Sequence, residues 1–207
     1  MSNQCRFRRL GLREYSTTEA EMLRFTDSRE SETSDEVWLL EHRPVYTLGT
    51  SSQLSPRENP DHIPVIKTGR GGQITYHGPG QIVAYLLVDI RRMGLGPRRL
   101  VATIEQGLID LLETYDIAAE RRSGAPGVYV GGEKIGAIGL RIRNGCSFHG
   151  LSLNVDVDPR PFEWIDPCGI EGLSVTRLVD HGVSLGVEEV GLDLERQLRQ
   201  AFCWTGG

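Results

Sequence analysis

The stretch Gly127-Val-Tyr-Val-Gly-Gly-Glu-Lys-Ile-Gly-Ala-Ile-Gly-Leu-Arg-Ile-Arg-Asn-Gly-Cys-Ser-Phe-His-Gly-Leu-Ser-Leu-Asn154 decides the fold. It holds β-prone runs separated by Gly131-Gly132 and Asn144-Gly145. Such pairs reach the positive φ angles of tight hairpin turns without steric cost. The spacing predicts strands over Gly127–Val130, Glu133–Ile142 and Cys146–Val157. Read with period two, Lys134 shares a face with Gly136, Ile138, Leu140 and Ile142, and that face reads as buried. Arg141 and Arg143 take the other face.

Outward from this meander, Val37–His42 and Val45–Gly49 read as short strands divided by Pro44, and Gln53–Asp61 as a surface loop. Pro64–Thr68 and Ile82–Val88 read as strands on either side of a glycine-rich segment. Ser16 with Glu19 three residues on has the form of a capping box, opening a helix towards Glu32. Gly96-Pro97 starts the clearest helix, with Leu100, Val101, Ile104, Leu108, Leu111, Leu112 and Tyr115 at helical spacing. A last helix is expected from about Asp193. Hairpins in the middle with a few helices around them predict an α+β fold. The expected form is one domain over residues 1–207, with a mixed, largely antiparallel sheet and flanking helices.

Composition narrows the function classes. Of 207 residues, 39% are hydrophobic and 25% charged, as in a soluble globular chain rather than a disordered or membrane protein. The longest apolar run, Ile82–Val88, is far short of the roughly 20 residues that span a bilayer. With 23 Lys+Arg against 28 Asp+Glu, the net charge of −5 argues against a nucleic-acid partner. The start shows no secretory signal, and Cys5, Cys146, Cys168 and Cys203 form no C-x-x-C pair. Free thiols, no bound metal and a cytoplasmic location are therefore expected. Arginines gather at Arg6–Arg9, Arg91–Arg99 and Arg121–Arg143, either as solvated faces or as docking sites for an acidic partner.

Glycine is over-represented, at 25 residues or about 12% of the chain against roughly 7% on average. Five lie within Gly69–Gly80 and eight within Gly124–Gly150. The first window contains neither a Walker-type nor a dinucleotide-binding pattern. Arg70, Gln73, Thr75, Tyr76 and His77 interleave with its glycines, which favours a ligand-shaping loop over a plain turn. Lys134 on its apolar face needs an anion or a function, or else snorkels at the strand start. Cys168, in Asp166-Pro-Cys-Gly169, is set in a turn that would expose a thiol. A nucleophile there needs a helper to form thiolate at neutral pH, and a nearby lysine is one. His77 and His149 read either as helpers or as hydrogen-bonded structural residues.

Taken together, Arg70-Gly-Gly-Gln-Ile-Thr-Tyr-His-Gly-Pro-Gly-Gln81, Gly132-Glu-Lys-Ile-Gly-Ala-Ile-Gly139, Phe148-His-Gly-Leu-Ser-Leu-Asn154 and Pro167-Cys-Gly169 resemble the lipoyl(octanoyl) transferases. The resemblance covers nearly the whole chain. It implies the α+β fold shared with the catalytic domains of biotin protein ligases and lipoate–protein ligases. It implies transfer of an octanoyl group from octanoyl-acyl carrier protein, with no cofactor. The implied acceptors are lipoyl domains of 2-oxo acid dehydrogenase complexes and the glycine cleavage system H protein. By the same match Cys168 carries an acyl thioester and Lys134 lowers its pKa and moves protons. The acyl pocket would be lined by Arg70, Gly71, Gly72 and Gln73, by Ile74, Thr75, Tyr76 and His77, by Ala137, Ile138 and Gly139, and by Gly150, Leu151 and Ser152. The apolar part is expected at Tyr76, Ile138 and Leu151. An ATP-dependent lipoate or biotin ligase and a non-catalytic acyl-binding module are the alternatives. The Arg91, Arg92, Arg98 and Arg99 cluster becomes a candidate surface for the acidic donor and acceptor.

Overall fold

The computed structural model describes residues 4–52, 55–166, 169–170 and 172–205. Its backbone is a seven-stranded sheet with a smaller three-stranded sheet laid beside one of its faces. The large sheet runs β1 (Cys5–Arg13), β2 (Asp35–His42), β6 (Gln81–Leu87), β10 (Cys146–Asn154), β9 (Glu133–Arg143), β8 (Gly127–Val130) and β7 (Glu120–Arg121), in that spatial order. Within this sheet, among the described residues, β1 and β2 pair in parallel and the remaining neighbours pair antiparallel. The small sheet holds β3 (Val45–Leu48) between β4 (Val65–Lys67) and β5 (Ile74–His77). The mixed, largely antiparallel sheet expected from sequence is present, and a second, three-stranded sheet accompanies it. Pro44 falls between β2 and β3 and ends the ladder there, since it has no N–H to offer.

Both hairpin turns form where the glycines predict them. Gly131 and Gly132 have φ of 57° and 89°, and Asn144 and Gly145 have 51° and 76°. Helix α2 (Pro97–Glu113) starts with Pro97 in its first turn, as read. Its Leu100, Ile104, Leu108, Leu111 and Leu112 are fully buried against the large sheet, alongside Val190, Leu194 and Leu198 of α3 (Val187–Ala201). That face is the main core. Helix α1 (Tyr15–Asp27) covers part of the opposite face through Met22, Leu23 and Phe25, against Trp38, Leu40, Tyr85, Leu87 and Phe148.

Three boundaries depart from the sequence reading. Ser16 lies inside α1 rather than at its cap, and Thr18 bonds back to the Glu14 carbonyl at 2.8 Å instead. The helix ends at Asp27 rather than running towards Glu32. Helix α3 starts at Val187, about six residues early, because the Glu189 carboxylate reaches back to the Gly186 N–H at 2.9 Å and stabilises the first turn. In sequence, strand β1 reads only as a basic cluster. It is an edge strand on which Arg8 and Arg9 pair with Glu36 of β2 and Glu195 of α3.

Candidate active site

A cavity opens between the α1-side face of the large sheet and the small sheet. It encloses about 740 Å³, open solvent at the mouth included. Its floor follows from register. Ser152 pairs with Val83 and Ala137, and Gly150 with Tyr85 and Gly139. Cross-strand partners point to the same side of a sheet, so Ala137, Gly139, Gly150 and Ser152 form one small-residue row. The missing side-chain volume is what leaves room above the sheet. Gly150 is also sterically required, since a Cβ there would sit 2.0 Å from the Ala84 carbonyl oxygen.

The first glycine window builds the opposite wall. Its backbone joins the second window directly: the Gly71 N–H donates to the Leu140 carbonyl at 3.0 Å. A Cβ on Gly139 would lie 2.9 Å from the Gly71 oxygen. Arg70 is buried and gripped by β3, with Nε donating to Thr47 Oγ1 at 3.0 Å and Nη2 to the Thr47 carbonyl at 2.6 Å. Gly72, Gln73, Ile74, Thr75 and His77 line the cavity with it. Both windows thus border one space.

Two residues of the expected wall sit elsewhere. Tyr76 alternates away from Thr75 and His77 along β5 and packs its ring against Tyr46 and Phe162, in the small sheet's own core. Gly71 serves by its backbone bond and is not in the lining. Ile138 and Leu151 border the cavity but belong to the main core, one residue out of phase with the small-residue row. Of the apolar channel expected from Tyr76, Ile138 and Leu151, the last two do border the cavity, with Val83, Ile135 and Phe162 as further apolar walls above the small-residue row, and Tyr76 does not.

Lys134 lines the same cavity and is buried at 4% exposure. Its strict alternation with Gly136, Ile138 and Leu140 does not hold. The β8–β9 register shifts at Val128/Tyr129, so that one extra β9 residue lies between Lys134 and Gly136. Burying an ammonium is costly without polar contacts. Its Nζ donates to the Pro126 carbonyl at 3.2 Å and stands 5.2 Å from the centre of the Tyr129 ring. Its backbone also holds the segment after Gly172, with the Lys134 N–H on the Ser174 carbonyl at 2.9 Å and the Thr176 N–H on the Lys134 carbonyl at 3.0 Å.

Cys168 lies outside the described residues. On its flanks, the Asp166 carboxylate is paired with Arg57 at 2.7 Å, and the Asp166 backbone carbonyl accepts the Gly169 N–H at 2.9 Å. A Cβ on Gly169 would lie 3.4 Å from the Gln73 side chain, which lines the cavity.

Around the rest of the cavity stands a group of rings that spacing gave no reason to assemble. Tyr15, His42 and Tyr85 come from α1, β2 and β6, and meet only through tertiary packing. His42 donates from Nδ1 to the Arg13 carbonyl at 3.1 Å, so its Nε2 accepts the Tyr85 hydroxyl at 2.6 Å. His77 donates from Nδ1 to Gln81 Oε1 at 2.6 Å, Gln81 donates to Asn154 at 2.9 Å, and Asn154 to the Thr176 carbonyl at 3.0 Å. That chain ties the small sheet to the segment held by Lys134. Burial lowers His42 to about 4 and both His77 and His149 to about 3, with neighbouring His42 adding to the effect at His77 and Arg70 at His149. All three rings are neutral near pH 7. Burial likewise raises the Glu19 carboxyl above its usual range. Among the described residues no group of His, Cys, Asp and Glu is arranged to hold a metal ion, and no helix is long and apolar enough to cross a membrane.

The α+β fold of this domain is that of solved lipoate and biotin protein ligases. A bi-partite lipoate protein ligase from Thermoplasma acidophilum superposes with a TM-score of 0.77 at 15% identity, covering 99% of this chain and 86% of that one. The biotin protein ligase from Aquifex aeolicus superposes at 0.58 and 13% identity, covering 97% and 70%. Within this class, the chain belongs to the lipoyl protein ligase A/B catalytic domain family, which it matches over residues 15–199. It is 55% identical to an octanoyltransferase from Aromatoleum aromaticum over 93% of this chain and 84% of that protein. It is an enzyme, an acyltransferase.

Proposed function

We propose that the protein transfers an octanoyl group from octanoyl-acyl carrier protein to a lysine of a lipoyl domain, through a thioester on Cys168. The observation that carries this reading is the convergence of both glycine windows and buried Lys134 on one cavity. The family membership and the octanoyltransferase relatives support it. The acceptors are the lipoyl domains of 2-oxo acid dehydrogenase complexes and the glycine cleavage system H protein, and the location is cytoplasmic.

In the first half, the Cys168 thiolate attacks the donor carbonyl, the C–S bond to the carrier breaks, and the donor thiolate takes a proton from the Lys134 ammonium. In the second half the acceptor amine attacks the enzyme thioester. Lys134, now neutral, takes the amine's proton as the C–N bond forms and the Cys168 thiolate leaves. One thioester is exchanged for another and then for an amide, so no ATP is consumed. The acyl chain lies on the floor of Ala137, Gly139, Gly150 and Ser152, facing Arg70, Gly72, Gln73, Ile74, Thr75 and His77. Arg70 shapes that wall through Thr47.

The test is an intact mass after incubation with octanoyl-acyl carrier protein. One octanoyl group should be added, released by hydroxylamine and absent in Cys168→Ala. Acylation of a lipoyl domain from octanoate and ATP, with none from the thioester, would make the protein a ligase. Binding without any covalent product would make it a non-catalytic module.

A further inference from the structure

Two parts of the cavity differ in chemistry. Lys134 and Asn154 border it near one another, and Gly150 borders it four residues back along β10, about 13 Å away by strand rise. His149 precedes it in the left-handed region, with φ of 57°, which turns its ring to the α1 side. The ring is 1% exposed, lines the cavity, and neither nitrogen has a hydrogen-bond partner among the described residues. Its Nε2 stands 3.9 Å from Glu19 Oε1, beyond hydrogen-bond reach. The hydroxyl of buried Tyr15, with Thr68 as a polar neighbour, likewise makes no hydrogen bond of good geometry. The nearby His42 and Tyr85 satisfy each other and Arg13, so the deficit belongs to His149 and Tyr15 alone within this ring group.

Buried polar groups left unpaired are costly, so these two need a partner from the contents of the cavity: water or a polar atom of the ligand. An apolar chain long enough to reach them would strip that partner away and offer nothing in return. A chain ending in a hydroxyl would replace it. Resting on the acyl-transfer reading above, we propose that His149 and Tyr15 form a polar stop that limits acyl length and accepts an ω-hydroxyl. A hydrophobic end wall would do the reverse, tolerating an added methylene and rejecting a hydroxyl.

The experiment compares two donors of equal heavy-atom count on the intact enzyme: nonanoyl- and 8-hydroxyoctanoyl-acyl carrier protein, in competition, with octanoyl-acyl carrier protein as control. Mass spectrometry of the acylated lipoyl domain gives the ratio of kcat/KM values. The hydroxylated donor should be preferred roughly tenfold or more. Tyr15→Phe, which removes one oxygen and little volume, should pull that ratio towards one. Equal transfer, or a preference for nonanoyl, overturns the polar stop. An unchanged ratio in Tyr15→Phe removes Tyr15 from it, and an unchanged ratio in both Tyr15→Phe and His149→Asn overturns the assignment altogether. If octanoyl itself is not transferred, the acyl-transfer reading fails and the stop falls with it. Length selection by simple bulk predicts the same ratio in Tyr15→Phe as in the wild type.

Discussion

The Gly71 N–H donates to the Leu140 carbonyl at 3.0 Å, joining two glycine-rich segments nearly 70 positions apart in the chain. The bond holds the small sheet's loop against β9 and sets the height of the cavity between them. Gly139 stands directly beneath, with space for a Cβ only 2.9 Å from the Gly71 oxygen. Gly139→Val should lift the loop, lowering stability by about 1–3 kcal/mol. The Tm should fall roughly 2–4 °C per kcal/mol for a chain of this size. Transfer should be lost more steeply than stability. Equal activity per folded molecule would mean that the loop height is immaterial.

Gly150 offers a sharper case. Its hypothetical Cβ meets backbone at 2.0 Å rather than a yielding side chain. Gly150→Ala should therefore destabilise more than Gly191→Ala, where no atom lies within 4 Å and a helix-interior glycine is replaced by the better helix former. Urea midpoints of the two variants check the order.

Lys134→Ala should slow acylation of Cys168 more at pH 7 than at pH 9. On the proposed mechanism the Lys134 ammonium favours the Cys168 thiolate, and at high pH the thiolate forms without help. Single-turnover acylation followed by mass reads the ratio. Equal slowing at both values would assign Lys134 to proton transfer alone.

Three buried histidines set the acid limb of stability. Each has a folded pKa of about 3 or 4 against 6.5 when exposed. Between those values the unfolded chain binds protons that the folded chain does not, so stability rises with pH across that window. It is lost as pH falls from about 6.5 towards 4. Each ring contributes up to about 1.4 kcal/mol per pH unit there. Glu19, raised in the fold, works in the opposite sense above its unfolded value. Urea midpoints between pH 7 and 5 should fall, and His149→Asn should fall less steeply.

The arginines at 91, 92, 98 and 99 differ in how they are held, and Arg91 pairs with Asp89 at the surface. Arg92 bonds Asp35 at 2.6 Å and the Thr33 carbonyl, and the Asp35 side chain is 5% exposed. Arg92→Glu should cost about 1.5–3 kcal/mol in stability. Arg98 and Arg99 are exposed at the start of α2 and do not line the cavity. Their double reversal to Glu should change stability by less than about 0.5 kcal/mol. Donor kcat/KM should stay within about twofold, because long-range surface charge is screened at physiological salt. A large rise in donor KM would restore that cluster as a docking surface.

Much of the architecture was legible locally. Asn144-Gly145 and Gly131-Gly132 specify hairpins because few other residue pairs reach those φ values cheaply. Pro97 and the leucine spacing specify α2 for equally local reasons. Strand β1 was hidden because Arg8 and Arg9 on this edge strand are paired with Glu36 and Glu195, neither of which local pattern connects to them. Likewise β5 was hidden inside a glycine-rich run, and its four residues become a strand only by pairing with β3.

For the cavity, the sequence by itself determined the ingredients: two glycine clusters, a lysine in an apolar strand, and the interleaved Arg70 and His77. Tertiary structure alone decided their sides. A one-residue register shift broke the face on which Lys134 was expected, and alternation along β5 sent Tyr76 into the small sheet's core while keeping His77 at the cavity. It also decided that Tyr15 and His149, far apart in the chain, both border the cavity. Side-chain direction has period two in a strand, so a single inserted residue reverses what composition suggests. Contacts between α1 and β10 depend on how layers stack, which no local pattern encodes.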